Sequence, residues 1–179
     1  MLKRAAFALI ASGALLAACG PKAPQPTVHA SMTEVIAPQA QTIWDITNRA
    51  YNDTGDGLDP AKISASDWTQ LQQAGRQIRE RALLMAKEKK LVAAAPGVKI
   101  EGEEDPAEPG ARQVQGYIDA NPRGFAEHAR ELAAAAEKVE TAAQARDVGP
   151  VFQIAGSLDG VCDGCHSRFW DPESPQAPK

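Results

Sequence analysis

Four stretches of the chain place apolar residues at three- and four-residue steps, the spacing of one helical face. The first runs from about Ser31 to Tyr51 and aligns Met32, Val35, Ile36, Ile43, Ile46 and Ala50, with Gln39 among them. Pro38 falls inside it, so this helix is expected to start later or to bend there. The second is expected to begin near Ser64 or Ser66, where Ser64 and Asp67 form a variant of a capping box. Its face is Trp68, Leu71, Gly75, Ile78, Ala82 and Met85, and it should end before Pro96. The third opens on Asn121-Pro122, a cap followed by proline at the first helical position. Phe125, Ala129, Leu132, Ala136 and Val139 form its face, and the alanines 133–136 would let another helix approach closely. The fourth is capped by Asp147, carries Pro150 in its first turn and aligns Val151, Phe152, Ala155, Leu158, Cys162, Cys165 and Phe169. Gly156 and Gly160 weaken it locally, and Pro172 and Pro175 end it. The short break near Asp147 predicts antiparallel packing of the last two helices.

The connections are polar. Residues 52–57 read as a loop. The acidic pattern from Asp53 to Asp59 superficially suggests a calcium loop, but Ile63 stands where the closing acidic ligand is required. Residues 96–112 read as a solvated insertion carrying Glu101, Glu103, Glu104, Asp105 and Glu108. Alanine dominates a 44% hydrophobic content with only 5% aromatics, and no internal repeat is visible. The expected fold class is all-α, a four-helix bundle.

The N-terminus stands apart from this pattern. Lys3 and Arg4 precede an apolar run from Ala5 to Ala18, too short to span a bilayer comfortably and suited to the core of an export signal. It ends Leu16-Ala17-Ala18-Cys19-Gly20, which resembles the lipobox of bacterial lipoproteins. That resemblance implies cleavage before Cys19, lipid on Cys19, and membrane attachment through it. Residues 1–18 then form the signal peptide. Residues 19–30, with Pro21, Pro24 and Pro26, form a tether. The expected location is the periplasm-facing cell envelope. Gly20 lacks the aspartate associated with inner-membrane retention, which leans toward the outer membrane.

Removing residues 1–18 takes away two bases and no acid, leaving 17 Lys plus Arg against 23 Asp plus Glu, a net charge of −6. That balance argues against nucleic-acid partners.

The sharpest motif is Cys162-Asp163-Gly164-Cys165-His166, a haem c attachment sequence. Two thiols three residues apart reach the two vinyl groups on one porphyrin edge, and the next residue puts an imidazole under the iron. His166 is thus the expected axial ligand of one covalent haem c. Covalent attachment also prevents loss of the cofactor outside the cell. Two other readings of the cysteines stand beside it. A disulfide or dithiol pair would fit better early in a βαβ pattern. Zinc would need further ligands, with only His29 and His128 left to supply them.

With this motif in the last helix rather than the first, the chain resembles the class II c-type cytochromes, the cytochrome c prime group. The likeness spans most of residues 30–170. Cys162 to Trp170 looks like the motif and aromatic ending of one branch, and Met32 with Val35 to Trp44 looks like that branch's first helix. The resemblance implies a haem domain over residues 31–171 and a tail over 172–179. It puts the sixth ligand position on the first helix. Met32 there implies a low-spin carrier of single electrons, whereas an open iron would bind nitric oxide or carbon monoxide. Thioethers also fill core gaps, so Met32 has a packing role as its plain alternative. His29 and His128 are further candidates for ligation.

Relatives often carry an arginine near the distal ligand to pair with the propionates. This sequence has none there, since Arg49 lies far along the helix and Arg168 follows His166 by two residues. Trp44, Trp68, Phe152 and Phe169 read as core or haem-packing residues. No Ser-His-Asp arrangement or separate metal cluster suggests enzyme machinery, so the expectation is an electron carrier and not an enzyme. Its redox partner protein is unknown from the sequence; the acidic loop could dock a basic one. Relatives are often dimers, which makes a homodimer an expected partner.

Overall fold

The structure, a computed structural model, describes residues 26–171, and every regular element in that range is helical. The strand-like pairing among the described residues is a single bridge between Tyr51 and Leu58, closing the 52–57 loop. The expected signal peptide, Cys19, most of the tether and the tail over 172–179 lie outside the described residues.

The first helix, α1, comprises Val28–Ser31, a π-helical segment Met32–Ile36, and Ala37–Arg49. It begins before the expected Ser31 because Thr27 caps it, accepting from the Ala30 N–H at 3.1 Å. The Val28 and His29 N–H groups donate outside the helix, to the carbonyls of Val92 (2.9 Å) and Ala93 (2.8 Å). The orphan donors of Val28, His29 and Ala30 at the helix start thus have partners, and the Ser31 N–H makes the first intrahelical bond, to the Thr27 carbonyl. The irregularity at Pro38 takes a specific form. Proline cannot donate to Glu34 and its ring crowds that carbonyl. The helix widens just upstream, where the Ala37 N–H bonds back to Met32. The turn that carries Met32 is therefore a π turn.

Helix α2 is Ala65–Lys87. Its capping box is complete, with the Ser64 hydroxyl accepting from the Asp67 N–H and the Asp67 carboxylate accepting from the Ser64 N–H. The expected face is buried throughout. Helix α3 is Ala111–Ala120, α4 is Pro122–Ala145 and α5 is Val148–Phe169. The Asn121 side chain caps α4 by accepting from the Gly124 N–H at 3.0 Å. Arg146 ends α4 in the left-handed region at φ 53°, and Asp147 caps α5 at once. The last two helices thus form an antiparallel hairpin.

The all-α class holds, but a clean four-helix count does not. Helix α3 and a 3₁₀ turn at Pro60–Lys62 add to the four long helices. The main packing is α2 on α4 and α4 on α5, with α1 completing the set against α2 and α5. Helix α3 offers Ala111, Val114, Tyr117 and Ile118 as a short apolar repeat. Tertiary contacts supply what that short pattern lacks. Val114 and Ile118 are buried, and Gln115 accepts from the Ala93 N–H (2.7 Å) while donating to the Leu91 carbonyl (3.1 Å). These bonds pin the segment after α2 across the domain.

Candidate functional site

Because α5 stays helical through the motif, Cys162, Cys165 and His166 fall at steps of three and four on one side of it. All three line a cavity of about 860 Å³, within the ~300–1,000 Å³ range of cofactor pockets. Helix α1 contributes His29, Met32, Ile36, Ala40 and Trp44 to the same cavity. Helix α4 contributes Phe125, His128 and Leu132. The structure therefore brings Met32 and the Cys162–His166 motif into one space, together with both other candidate histidines.

Both thiols are free and partly buried. Burial pushes the Cys162 thiol up, with Asp159 and Asp163 adding to the effect. Burial also pushes Cys165 up, to about 12, reinforced by Cys162 and Glu131. Redox-active pairs depend on a depressed thiol pKa, so this environment is the opposite of a thioredoxin-like one. His166 lines the cavity and is exposed. The surrounding protein still displaces enough water to lower its pKa, with Asp163 opposing that shift. Its neutral form, the one that ligates metal, is favoured.

Helix α4 places its histidine beside the motif. His128 Cε1 lies 3.9 Å from where a Cβ on Gly164 would stand. Its Nδ1 is 3.1 Å from Glu131, and its ring meets Phe169 edge-on at 6.0 Å. His128 packs against the turn between the two cysteines. Among the described residues, no group of three or more His, Cys, Asp and Glu side chains gathers to hold a metal ion. Zinc held by protein side chains alone therefore has no ligand set there.

Several lining residues escaped the sequence reading. Met85, assigned only to the core face of α2, is 4% exposed and lines the cavity as a second thioether. Glu101, Asp105 and Glu108 also line it while staying exposed, so the acidic insertion is solvated as expected and borders the site as well. Buried Ile100 anchors that loop. Only such an apolar residue amid the charges hinted at the arrangement. Trp44 and Phe169 line the cavity, whereas Trp68 is core and Phe152 faces elsewhere. No Lys or Arg lines it among the described residues, and Arg49 pairs with Asp67. No described helix is long and apolar enough to cross a membrane.

No protein-family model matches this sequence, and no curated protein or solved structure matches it either.

Proposed function

We propose that the chain is a membrane-anchored c-type cytochrome that carries single electrons, with one haem bound covalently through Cys162 and Cys165. On this reading α1, α2, α4 and α5 are a cytochrome c prime-like four-helix bundle, and α3 is an addition to it. The carrying observation is that the attachment motif and Met32, 130 positions apart in the sequence, line one cavity. The residues present fit the group. Two thiols one helical turn apart suit the thioethers, and a neutral imidazole follows them. Apolar walls from Ile36, Leu132 and Phe125 suit a porphyrin face.

The bound haem would supply a one-electron Fe(III)/Fe(II) couple. The chain's own part is to hold and tune it. His166 is the proximal ligand and Met32 the distal one, while Ile36, Phe125 and Leu132 exclude water. Cys19 ties the domain to the membrane, in the periplasm-facing envelope and toward the outer membrane. The physiological partner is another redox protein.

An optical spectrum of the purified exported protein tests this. The expected result is a low-spin c-type spectrum that survives acid–acetone extraction, with Met32→Ala converting it to high spin. Covalent haem retained in the Cys162→Ala, Cys165→Ala double variant would overturn the attachment. A wild-type spectrum that is high spin and responds at once to carbon monoxide would overturn Met32 and favour gas binding.

A further inference from the structure

A second cavity, of about 350 Å³, opens along the seam between α1 and α5. Trp44, Tyr51 and Phe152 give it aromatic walls, with Tyr51 and Phe152 packed edge-to-face at 5.7 Å. Asn48 and Asp159 add exposed polar groups. Among the described residues, the side chains of Asn48 and Asp159 and the Tyr51 hydroxyl have no hydrogen-bond or ion-pair partner. Among the described residues, no Lys, Arg or His lines this cavity, and Asp159 is its one carboxylate. Trp44 and Asp159 line the haem-side cavity as well. Trp44 is fixed between the two by its indole N–H, which donates to the Ala155 carbonyl at 3.3 Å.

We propose that this seam is the docking port for a basic electron-transfer protein, which inserts a lysine or arginine side chain between the aromatic walls and Asp159. The inference rests on the electron-carrier reading above. Aromatic faces attract cations, and a carboxylate and amide oxygen left without partners complete the set of acceptors such a side chain needs. The acidic loop is a poorer port. Glu103 accepts from the Ile100 N–H, Asp105 caps the Ala107 N–H, Glu104 pairs with Lys99, and the remaining Glu101 and Glu108 line the haem-side cavity itself. A partner seated on the seam would have Trp44 between it and the haem site. The exchange moves one electron, oxidising one centre and reducing the other, with no proton or bond transferred.

The test is stopped-flow electron transfer between the holoprotein and a small basic c-type cytochrome over a range of ionic strength. Asp159→Asn and Tyr51→Ala should each lower the low-salt second-order rate constant about three- to tenfold, and Asp159→Asn should flatten its salt dependence. Tyr51 lies outside the haem-side cavity, so Tyr51→Ala should keep the wild-type spectrum. The loop variant Glu103→Gln with Glu104→Gln should change the rate less than the seam variants do. Rates within about twofold of wild type for both seam variants, or a larger loss from the loop variant, would overturn the proposal. So would a dimer that Tyr51→Ala dissociates in sedimentation equilibrium, since a second copy would then occupy the seam. A preparation without covalent haem would refute the electron-carrier reading instead. NMR shifts of the Trp44 indole and Asn48 amide on adding the basic cytochrome would still decide the docking site, with no shift counting against it.

Discussion

Gly75 of α2 lies against the backbone of Ala136 in α4, so close that a Cβ on Gly75 would come within 2.7 Å of the Ala136 carbonyl oxygen and the Glu140 nitrogen. The most extensive helix pair in the domain is thus spaced by the absence of one side chain. Backbone atoms cannot swing away as a flexible side-chain end could. Gly75→Ala should therefore force α2 and α4 apart, although alanine favours helix by ~1 kcal/mol over glycine. The expected net loss is about 1–3 kcal/mol, read as a lower urea midpoint. An unchanged midpoint would show that the pair can shift freely.

The same seam is tied by charge. Glu140 is 8% exposed and receives Arg76 Nε at 2.9 Å and Arg79 Nε at 3.0 Å. Burial raises its pKa, but the hydrogen bonds and charges of the two arginines outweigh that, and the net shift is down from 4.5. Asp67 is also held below its ordinary 3.8, first by the Ser64 N–H and, against burial, by the Ser64 hydroxyl and Arg49. A carboxylate with a depressed folded pKa adds stability above its unfolded pKa and loses it as pH falls through the folded value. Both contributions should be full at neutral pH and fade below about pH 4.5. Glu140→Gln should cost about 1–2 kcal/mol at pH 7 and make the acid decline shallower. Parallel wild-type and variant curves across pH 3–6 would sink the assignment.

If the haem sits in the cavity, Glu101, Asp105 and Glu108 put negative charge along its lining, with no Lys or Arg there among the described residues to offset it. Negative charge favours the ferric state and depresses the reduction potential. Replacing all three by their amides should raise the midpoint by something on the order of tens of millivolts, less at high salt. Equilibrium redox titration measures this directly, and a downward shift would contradict it.

Local chemistry was the most legible part of this chain. Ser64 with Asp67, Asn121 with Pro122, and Asp147 each combine a capping oxygen with a nearby donor, and all three form the cap expected of them. The faces of α2 and α4 were equally readable, because steps of three and four repeat over many turns. Helix α3 was not, because its apolar repeat is short and rests partly on Ala111, and Gln115 ties it to the segment after α2. Pro38 announced a disturbance, but whether the helix would start late or widen depended on the added anchoring at Thr27, Val92 and Ala93. Within the candidate site, Cys162, Cys165 and His166 could be picked out because a haem c attachment motif has a fixed spacing. Met85 and the loop carboxylates could not, since their role depends on which walls meet around the cavity.

The backbone bonds from Val28 to Val92 and from His29 to Ala93 also have a mechanical meaning. Tension entering through the N-terminal side reaches these two bonds before it can unwind α1. They pass part of the load to the segment that Gln115 holds against α3, instead of leaving a helix end to peel off turn by turn. If the domain is tethered on that side, as proposed, these bonds give it strain relief only three residues upstream of Met32 at the nearer one.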